Sequence, residues 1–384
     1  MATFNLKKGY DLNLKGKPQK EIISISSPDI IKINPQNFKY IKPKITVKVD
    51  DLVEVGTLLF FDKNDPDIRH VSPCSGKIKS IDYGEKRKVL SINIENDKKY
   101  SQIELKKLDK LYSLSSIRNL GSDSTKEIIN EAGMWPLIRQ RPFSKIPAID
   151  SSPKSIFISM KPTDPLALDQ LSILEHNSVG FVEGIDAISN LTEGNINIIL
   201  DTDQDASMLD SLDKVKIHHF SGPHPSGNVG VHIHYIDPIS SKDDSVWYLS
   251  MQDVCKIGRL FVDGIINTTK IISMGGPGCQ KPSYLEIYNG TCLSHINDEL
   301  ELNIDESCVL ISGSVLSGKY IDLEKSLSFY HESLSMLEND EERHFLGWLL
   351  PGFNTFTLTN TFVSKLLNSN HSINHNMKNG SNRA

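Results

Sequence analysis

The residues best suited to chemistry in this sequence lie in the histidine-rich stretch 218–237. It holds five of the chain's twelve histidines, which are His218, His219, His224, His232 and His234. The central residues 222–227 read Gly-Pro-His-Pro-Ser-Gly, and proline with glycine predicts a bent, rigid turn. Strand-like runs flank this turn at 214–220 and 229–236. Alternation in the second run predicts that His232 and His234 share one face, opposite Val231, Ile233 and Tyr235.

Three interpretations of this stretch are open from the residues alone. Two histidines on one strand face can bind a metal, but no Cys-x-x-Cys pair or acidic ligand cluster lies nearby, so we predict no metal. The histidines could instead contact a partner protein as ordinary polar residues. They could also hydrogen-bond an organic ligand or exchange a proton with it, since imidazole titrates near neutrality. The candidate ligand or partner residues are Gly222, Pro223, His224, His232 and His234.

A second candidate site is the basic loop at residues 134–150. Three prolines prevent a long helix there, and Arg139, Arg141 and Lys145 project from it beside Trp135 and Phe143. Only eight of the chain's 42 basic residues are arginine, so two arginines two residues apart suggest a guanidinium fork. Such a loop could bind a carboxylate, a phosphate or another subunit's acidic surface. The alternative is a solvated loop that packs its own aromatic side chains.

Composition excludes several classes of protein. A length of 384 residues indicates two to four domains, and a net charge of −6 gives no basic footprint for nucleic acid. No apolar stretch resembles a signal peptide or approaches the roughly 18 residues that span a bilayer. The five cysteines are scattered, unlike a disulfide framework or a zinc or iron–sulfur ligand set.

The order of predicted elements indicates an α/β multi-domain chain with four parts. Residues 1–102 read as a β domain that resembles the barrel-sandwich fold of biotinyl and lipoyl domains. Lys63 lies where a carrier lysine would be, although the residues after it do not look like a lysine-tipped hairpin. Residues 103–258 alternate strands and helices as a Rossmann-like domain, but no Gly-x-Gly-x-x-Gly follows its first strand. Residues 259–320 form a small mixed domain, and 321–384 a helical segment with a polar tail.

Several longer motifs together carry a resemblance to a known family. They are Leu6-Lys7-Lys8-Gly9-x-Asp11-Leu12, Trp135-x-x-x-Arg139-x-Arg141-Pro142-Phe143-Ser144-Lys145-Ile146-Pro147-Ala148, Gly222-Pro223-His224-Pro225-x-Gly227, His232-Ile233-His234, Gln252-Asp253-Val254, Ile257-Gly258-Arg259-Leu260-Phe261, Lys281-Pro282 and Ile311-Ser312-Gly313-Ser314-Val315-Leu316. Over almost its whole length the chain resembles the A-subunit family of bacterial sodium-translocating NADH:ubiquinone reductases. The resemblance implies a barrel-sandwich domain, a Rossmann-like domain and a β-grasp domain of the soluble-ligand-binding (SLBB) type. That family usually continues into a C-terminal helical region, so we expect a C-terminally truncated member.

The resemblance also implies a function. We expect a peripheral subunit, on the cytoplasmic face of the bacterial inner membrane, of a pump that oxidises NADH, reduces ubiquinone and exports Na⁺. Flavins and an iron–sulfur centre are expected in the partner subunits and no cofactor in this chain, which would touch the membrane only through its partners. Ubiquinone is a possible substrate here, and the chain would serve quinone reduction or assembly. The alternative is a free-standing ligand- or prosthetic-group-binding module built on the biotinyl-like domain.

Overall fold

Nineteen strands and seven α-helices are found in the residues that the computed structural model describes, which are 2–176, 179–204, 214–339 and the single positions 351, 353 and 363. The strands are β1 (Ala2–Asn5), β2 (Gln19–Ser24), β3 (Ile30–Ile33), β4 (Pro43–Ile45), β5 (Leu52–Val53), β6 (Leu58–Asp62), β7 (Asp65–Val71), β8 (Gly76–Tyr83), β9 (Val89–Asn96), β10 (Arg139–Arg141), β11 (Ser155–Ser159), β12 (Ile196–Asp201), β13 (Val215–Ser221), β14 (Val246–Leu249), β15 (Thr269–Gly275), β16 (Ser283–Tyr288), β17 (Cys308–Ser312), β18 (Lys319–Tyr320) and β19 (Ser333–Glu338). The α-helices are α1 (Leu114–Arg118), α2 (Ser122–Glu131), α3 (Gln170–His176), α4 (Phe181–Ser189), α5 (Val229–Ile236), α6 (Met251–Asp263) and α7 (Leu293–Leu300).

The N-terminal β domain is a sandwich of two small antiparallel sheets. One has the order β3-β9-β8-β5 and the other the order β4-β6-β7. Alternate residues of their strands point inward, among them Leu59, Ile78 and Ile92, which are fully buried. Lys63 lies in the two-residue turn between β6 and β7 and is exposed. The prediction that this lysine is not at a hairpin tip is therefore wrong.

The central domain is built on a six-stranded sheet of order β1-β13-β12-β11-β14-β10. All neighbours pair parallel except β10, which is antiparallel to β14 at one edge. The inner strands β11 and β12 are near-continuous apolar runs because both faces of a parallel sheet are covered. The strand order reverses between β11 and β14, which is where an open α/β sheet places its crevice.

The third sheet has the order β18-β17-β19-β15-β16-β2. Helix α7 packs on it through Leu293, Ile296 and Leu300. We predicted a helical segment from residue 321 onward, but residues 333–338 form strand β19, which pairs with β15 and β17. A run of alternating apolar residues in Ser-Leu-Ser-Met-Leu-Glu fits a central strand better than a helix face. Residues 345–353 of the predicted helical segment lie outside the described residues, apart from the single positions 351 and 353.

Two strands from the first 25 residues complete the other two sheets. Strand β1 pairs with β13 of the central sheet, and β2 pairs with β16 of the third sheet. The N-terminal segment thus links all three parts of the chain before the sandwich begins. Among the helices that the structure describes, none has the length and apolar character needed to cross a bilayer.

Candidate functional site

The histidine-rich stretch folds as strand, turn and helix. Strand β13 confirms the first predicted strand, but the second is wrong, because residues 229–236 form helix α5. Parallel strands β13 and β14 need a crossover connection, and a helix is the usual one. The apolar residues Val229, Ile233 and Ile236 also fit a helix face, since they recur at i, i+4 and i+7. The short sequence fits the strand period and the helix period equally well. The connection between parallel strands therefore determines that it forms a helix.

The helix separates the two histidines that we predicted to share a face. Residues two apart lie about 200° around a helix, so His232 points into the core and His234 is exposed. The Nε2 atom of His232 lies 2.7 Å from the carbonyl oxygen of Ser226, and burial lowers the pKa of this histidine to about 4. His224 contacts the Thr163 hydroxyl through Nδ1 at 3.1 Å. The predicted shared face of His232 and His234 is wrong, whereas a ligand or partner role for the stretch stays a prediction.

The turn at 222–227 is locked to the N-terminal segment. The Tyr10 amide donates to the His224 carbonyl oxygen at 2.8 Å, and the His224 amide donates to Asp11 Oδ1 at 2.9 Å. The backbones approach so closely that a Cβ on Gly9 would lie 2.1 Å from the His224 oxygen. A Cβ on Gly222 would lie 2.1 Å from the Leu6 oxygen. Two of the motifs singled out in the sequence therefore contact each other, and this contact explains their glycines without a ligand.

The basic loop is more ordered than predicted. It contains a 3₁₀ turn at Trp135–Leu137 and the edge strand β10, which carries Arg139 and Arg141. Trp135 is fully buried and donates its indole N–H to the Pro147 carbonyl oxygen at 2.8 Å. Lys145 is exposed at the far end of the loop. The structure brings Arg139, Arg141 and Lys145 together, about the edge of the central sheet and apart from the histidine turn.

A mainly apolar cavity lies where the three domains meet. Its own volume is about 90 Å³, and the empty space reaches about 850 Å³ when the open mouth is included. The sandwich contributes Phe38, Phe60 and His70, the segment after α2 contributes Met134 and Leu137, and the turn before β19 contributes Phe329. The apolar lining with a few polar side chains is typical of small-molecule sites, although the cavity is smaller than most of them. Sequence analysis missed it, because its walls come from segments far apart in the chain.

His70 is the most unusual side chain in this cavity. It lies on β7, is only 3% exposed, and contacts the rings of Phe38 and Phe60 with centroids 4.4 Å away. Within the described residues, neither of its ring nitrogens has a hydrogen-bond partner. Burial lowers the pKa of His70 to about 3, so its ring is neutral and carries one N–H donor and one lone pair. A buried polar group left without a hydrogen bond costs about 1–3 kcal/mol, so His70 is a costly residue at this position of the core.

Lysines line the same cavity. Lys270 on β15 donates to the carbonyl oxygens of Ser328, Phe329 and His331 at 3.0–3.3 Å. Burial, with Lys256 nearby, lowers the pKa of Lys270 to about 8. The three hydrogen bonds use all of its N–H groups, so Lys270 braces the cavity wall formed by residues 328–331. Lys270 is thus fully occupied by the protein itself, in contrast to His70.

The crevice of the central sheet shows how the domain differs from a nucleotide-binding fold. After β11 the chain continues as Lys161-Pro162-Thr163-Asp164-Pro165, where prolines leave few amides free for a pyrophosphate. The Gln170 side-chain amide at the start of α3 donates to the Glu332 carboxylate at 3.1 Å. Burial, with Asp253 nearby, raises the pKa of Glu332. The third domain thus brings a carboxyl group to the side of the sheet where phosphate would bind in a dinucleotide fold.

Comparison with protein-family models identifies all three parts. Residues 4–97 match the NqrA N-terminal barrel-sandwich hybrid domain, residues 120–266 match the NqrA second alpha/beta domain, and residues 271–322 match the NQRA C-terminal (SLBB) domain. The chain belongs to the NqrA family. The three predicted fold classes of the NqrA domains are therefore confirmed.

Curated NqrA sequences match nearly the full chain. The A-subunit of the Na(+)-translocating NADH-quinone reductase of Histophilus somni (strain 129Pt) is 36% identical over 96% of this chain and 82% of its own. The corresponding protein from Glaesserella parasuis serovar 5 is 35% identical with the same coverage, and that from Tolumonas auensis is 32% identical over 99% and 83%. An NAD+-reducing [NiFe]-hydrogenase matches with a TM-score of 0.41 and 10% identity over 60% of this chain and 50% of its own. That structural likeness is too low to support an argument about this chain.

Two further predictions concern metals and thiols. No group of three or more metal-capable side chains is found in the part of the chain that the structure describes. The five cysteines are unpaired, and burial raises the pKa values of Cys74 and Cys255 to about 12. These two thiols are therefore protonated at neutral pH and poor nucleophiles. The predicted absence of a cofactor in this NqrA chain stays a prediction.

Proposed function

We propose that the chain is the peripheral subunit of a sodium-exporting NADH:ubiquinone reductase and holds a quinone headgroup in its interdomain cavity. The observation that carries this proposal is His70, a neutral, buried donor without a partner among the described residues, on the wall of an apolar cavity. A quinone is a planar, uncharged ring with carbonyl acceptors and an apolar tail. Both ring nitrogens of His70 are buried, so the ring would turn toward the cavity to donate its N–H to one carbonyl oxygen. Phe38, Phe60 and Phe329 would pack against the quinone ring and tail.

The residues of the chain give this site a binding role. His70 has a pKa of about 3, so it does not deliver a proton as an imidazolium at neutral pH. Its hydrogen bond would orient the quinone ring and favour charge growing on the carbonyl oxygen as electrons arrive. The electrons would come from flavins and an iron–sulfur centre in the partner subunits. Other subunits of the complex, on the cytoplasmic face of the membrane, are the proposed partners, without direct contact between this chain and the bilayer.

Binding of a short-chain ubiquinone to the purified chain tests this function. Quenching of tryptophan fluorescence should saturate at one quinone per chain, and His70→Leu should weaken the affinity by about tenfold, the loss typical of one buried hydrogen bond. Cys308→Ala, on the third sheet away from the cavity, is the matched control. Equal affinities for His70→Leu and the wild type, or no saturable binding at all, would contradict the proposal.

A second candidate function rests on Lys63. The structure puts this exposed lysine in a tight hairpin turn, whose backbone is fixed by hydrogen bonds from the Lys42 and Asn64 amides to the Asp62 carboxylate at 2.8 and 3.0 Å. A lysine at a hairpin tip is the position that a carrier of a covalent prosthetic group requires. The intact mass of the chain isolated from its native membrane separates the two functions. An adduct on Lys63 would favour the carrier.

A further inference from the structure

The tip of the basic loop, residues 139–145, is a rigid protrusion from the edge of the central sheet. We call it the basic tip. The Gln140 amide donates to the Lys145 carbonyl oxygen at 2.7 Å, and the hydroxyl groups of Ser144 and Tyr248 lie 2.7 Å apart. Phe143 sits between these ties with a φ of +78° and 67% of its surface exposed. The fixed backbone on both sides thus keeps the Phe143 side chain exposed to solvent.

The two arginines of the basic tip have no carboxylate partner among the residues that the structure describes. Arg118 and Arg259 form ion pairs with Asp186 and Asp263. Within the ranges that the structure describes, no such ion pair involves Arg139 or Arg141, and their buried Nε atoms have no acceptor. In a chain with a net charge of −6, intramolecular carboxylates are abundant. Because no ion pair of the described residues neutralises these two guanidinium groups, their charge can attract an outside anion.

Aromatic rings hold both guanidinium groups in place. The Cζ atom of Arg139 lies 4.3 Å from the ring centroid of Tyr248 and 4.7 Å from that of Tyr330. The Cζ atom of Arg141 lies 5.4 Å from the Tyr248 centroid. Stacking on rings orients the planar groups and lowers the entropy lost when they bind. Because i and i+2 residues of a strand share a face, the two groups form a fork on one side of β10.

We propose that the basic tip docks on an acidic segment of another protein, whose carboxylates pair with Arg139, Arg141 and Lys145 and whose apolar pocket receives Phe143. The identification of that protein as another subunit of the complex rests on the proposed function. Arginine and exposed aromatic residues are enriched at protein interfaces, where a few such residues carry most of the binding energy. Paired guanidinium groups match carboxylates bidentately, which lysines do not.

Charge distinguishes this partner from a lipid surface. Recognition of anionic headgroups uses clusters of about four to eight lysines and arginines. The basic tip has three cations, two of them stacked and fixed, and Asp65 lies close enough to Lys145 to interact with it electrostatically. An acidic protein segment fits this small, rigid arrangement better than a diffuse membrane charge.

The test is co-purification of the complex from membranes through a tag on one of its other subunits. Arg141→Glu with Lys145→Glu should reduce the amount of this chain retained at physiological salt by at least about tenfold, the effect of one interface hot spot. Lys15→Glu with Lys17→Glu is the matched control, since these lysines are exposed on the N-terminal segment and the charge change is the same. The control should be retained like the wild type.

Each other outcome decides the question. Full retention of Arg141→Glu with Lys145→Glu overturns the proposal, as does wild-type sedimentation with phosphatidylcholine/phosphatidylglycerol vesicles that this variant abolishes. If the double variant has a lower melting temperature, Phe143→Ser replaces it, because its exposed side chain has no role in the core; full retention of Phe143→Ser then also overturns the proposal. The purified double variant should still bind short-chain ubiquinone. If neither the wild type nor any variant binds quinone, the proposed function is contradicted, whereas the docking proposal is unaffected.

Discussion

The ring of His70 lies nearly parallel to the ring of Phe60, with an interplanar angle of 9° and centroids 4.4 Å apart. His70 packs where a phenylalanine would fit, and its ring nitrogens have no hydrogen bonds in the described residues, so it lowers the stability of the core. This cost indicates a functional reason for the histidine. We therefore expect His70→Phe to raise the free energy of unfolding by about 1 kcal/mol while it weakens quinone binding. Urea unfolding of the purified chain measures the first effect. A loss of stability above about 1 kcal/mol would show that the ring is structurally required.

Buried histidines predict how stability depends on pH. Burial lowers the pKa values of His70 to about 3 and of His218 and His232 to about 4, below the value near 6.5 of an unfolded chain. Between these values the unfolded state binds more protons, so stability is complete above about pH 6.5 and is lost as the pH falls toward 4. Each histidine contributes a slope of up to about 1.4 kcal/mol per pH unit.

Urea unfolding at about pH 7, 5.5 and 4.5 measures this slope. His232→Gln is the informative variant, because a neutral amide can still donate to the Ser226 carbonyl oxygen but cannot titrate. The variant should lose less stability than the wild type on acidification. An identical pH dependence for both proteins would mean that His232 has the same pKa in the folded and unfolded states.

The contact between the N-terminal segment and the histidine turn predicts a large effect of a single methyl group. Gly222→Ala should lower the free energy of unfolding by about 1–3 kcal/mol, because Gly222 has a φ of +108° and its new Cβ would meet the Leu6 carbonyl oxygen. Gly230→Ala, in helix α5 with open space around its Cβ, is the control and should raise stability by about 0.5–1 kcal/mol. In thermal unfolding, Gly222→Ala should lower the melting temperature and Gly230→Ala should raise it. Equal changes for the two variants would contradict the close packing at Gly222.

Nucleotide binding should be absent in spite of the Rossmann-like strand order. The prolines after β11 and the Glu332 carboxyl group disfavour a pyrophosphate at the crevice. Isothermal calorimetry with NADH and with FMN should show no binding at micromolar concentrations. Glu332→Gln removes the carboxyl group but leaves the proline-containing segment, so it should not restore binding. Micromolar affinity in the wild type would contradict the prediction.

How far the sequence predicts the fold depends on the length and uniqueness of each pattern. Strands β11 and β12 were predictable because apolar runs of that length fit a covered strand. Residues 229–236 satisfy both strand and helix periods, and the choice depends on a parallel pairing that a local pattern does not contain. His70 offered one signal, its position in register with the inward-facing Ile68 on a strand. The cavity itself depends on how three domains meet, which no single segment specifies.

The pairing of β1 with β13 and of β2 with β16 has a consequence for synthesis of the chain. Ala2 lies beside His218, and Ile22 lies beside Tyr284. Strands β1 and β2 therefore leave the ribosome well before their native partners have been translated. Contacts of such high sequence separation carry a large loop-closure cost and form late in folding. The N-terminal sandwich can fold during translation, whereas the other two sheets gain these edge strands only after it.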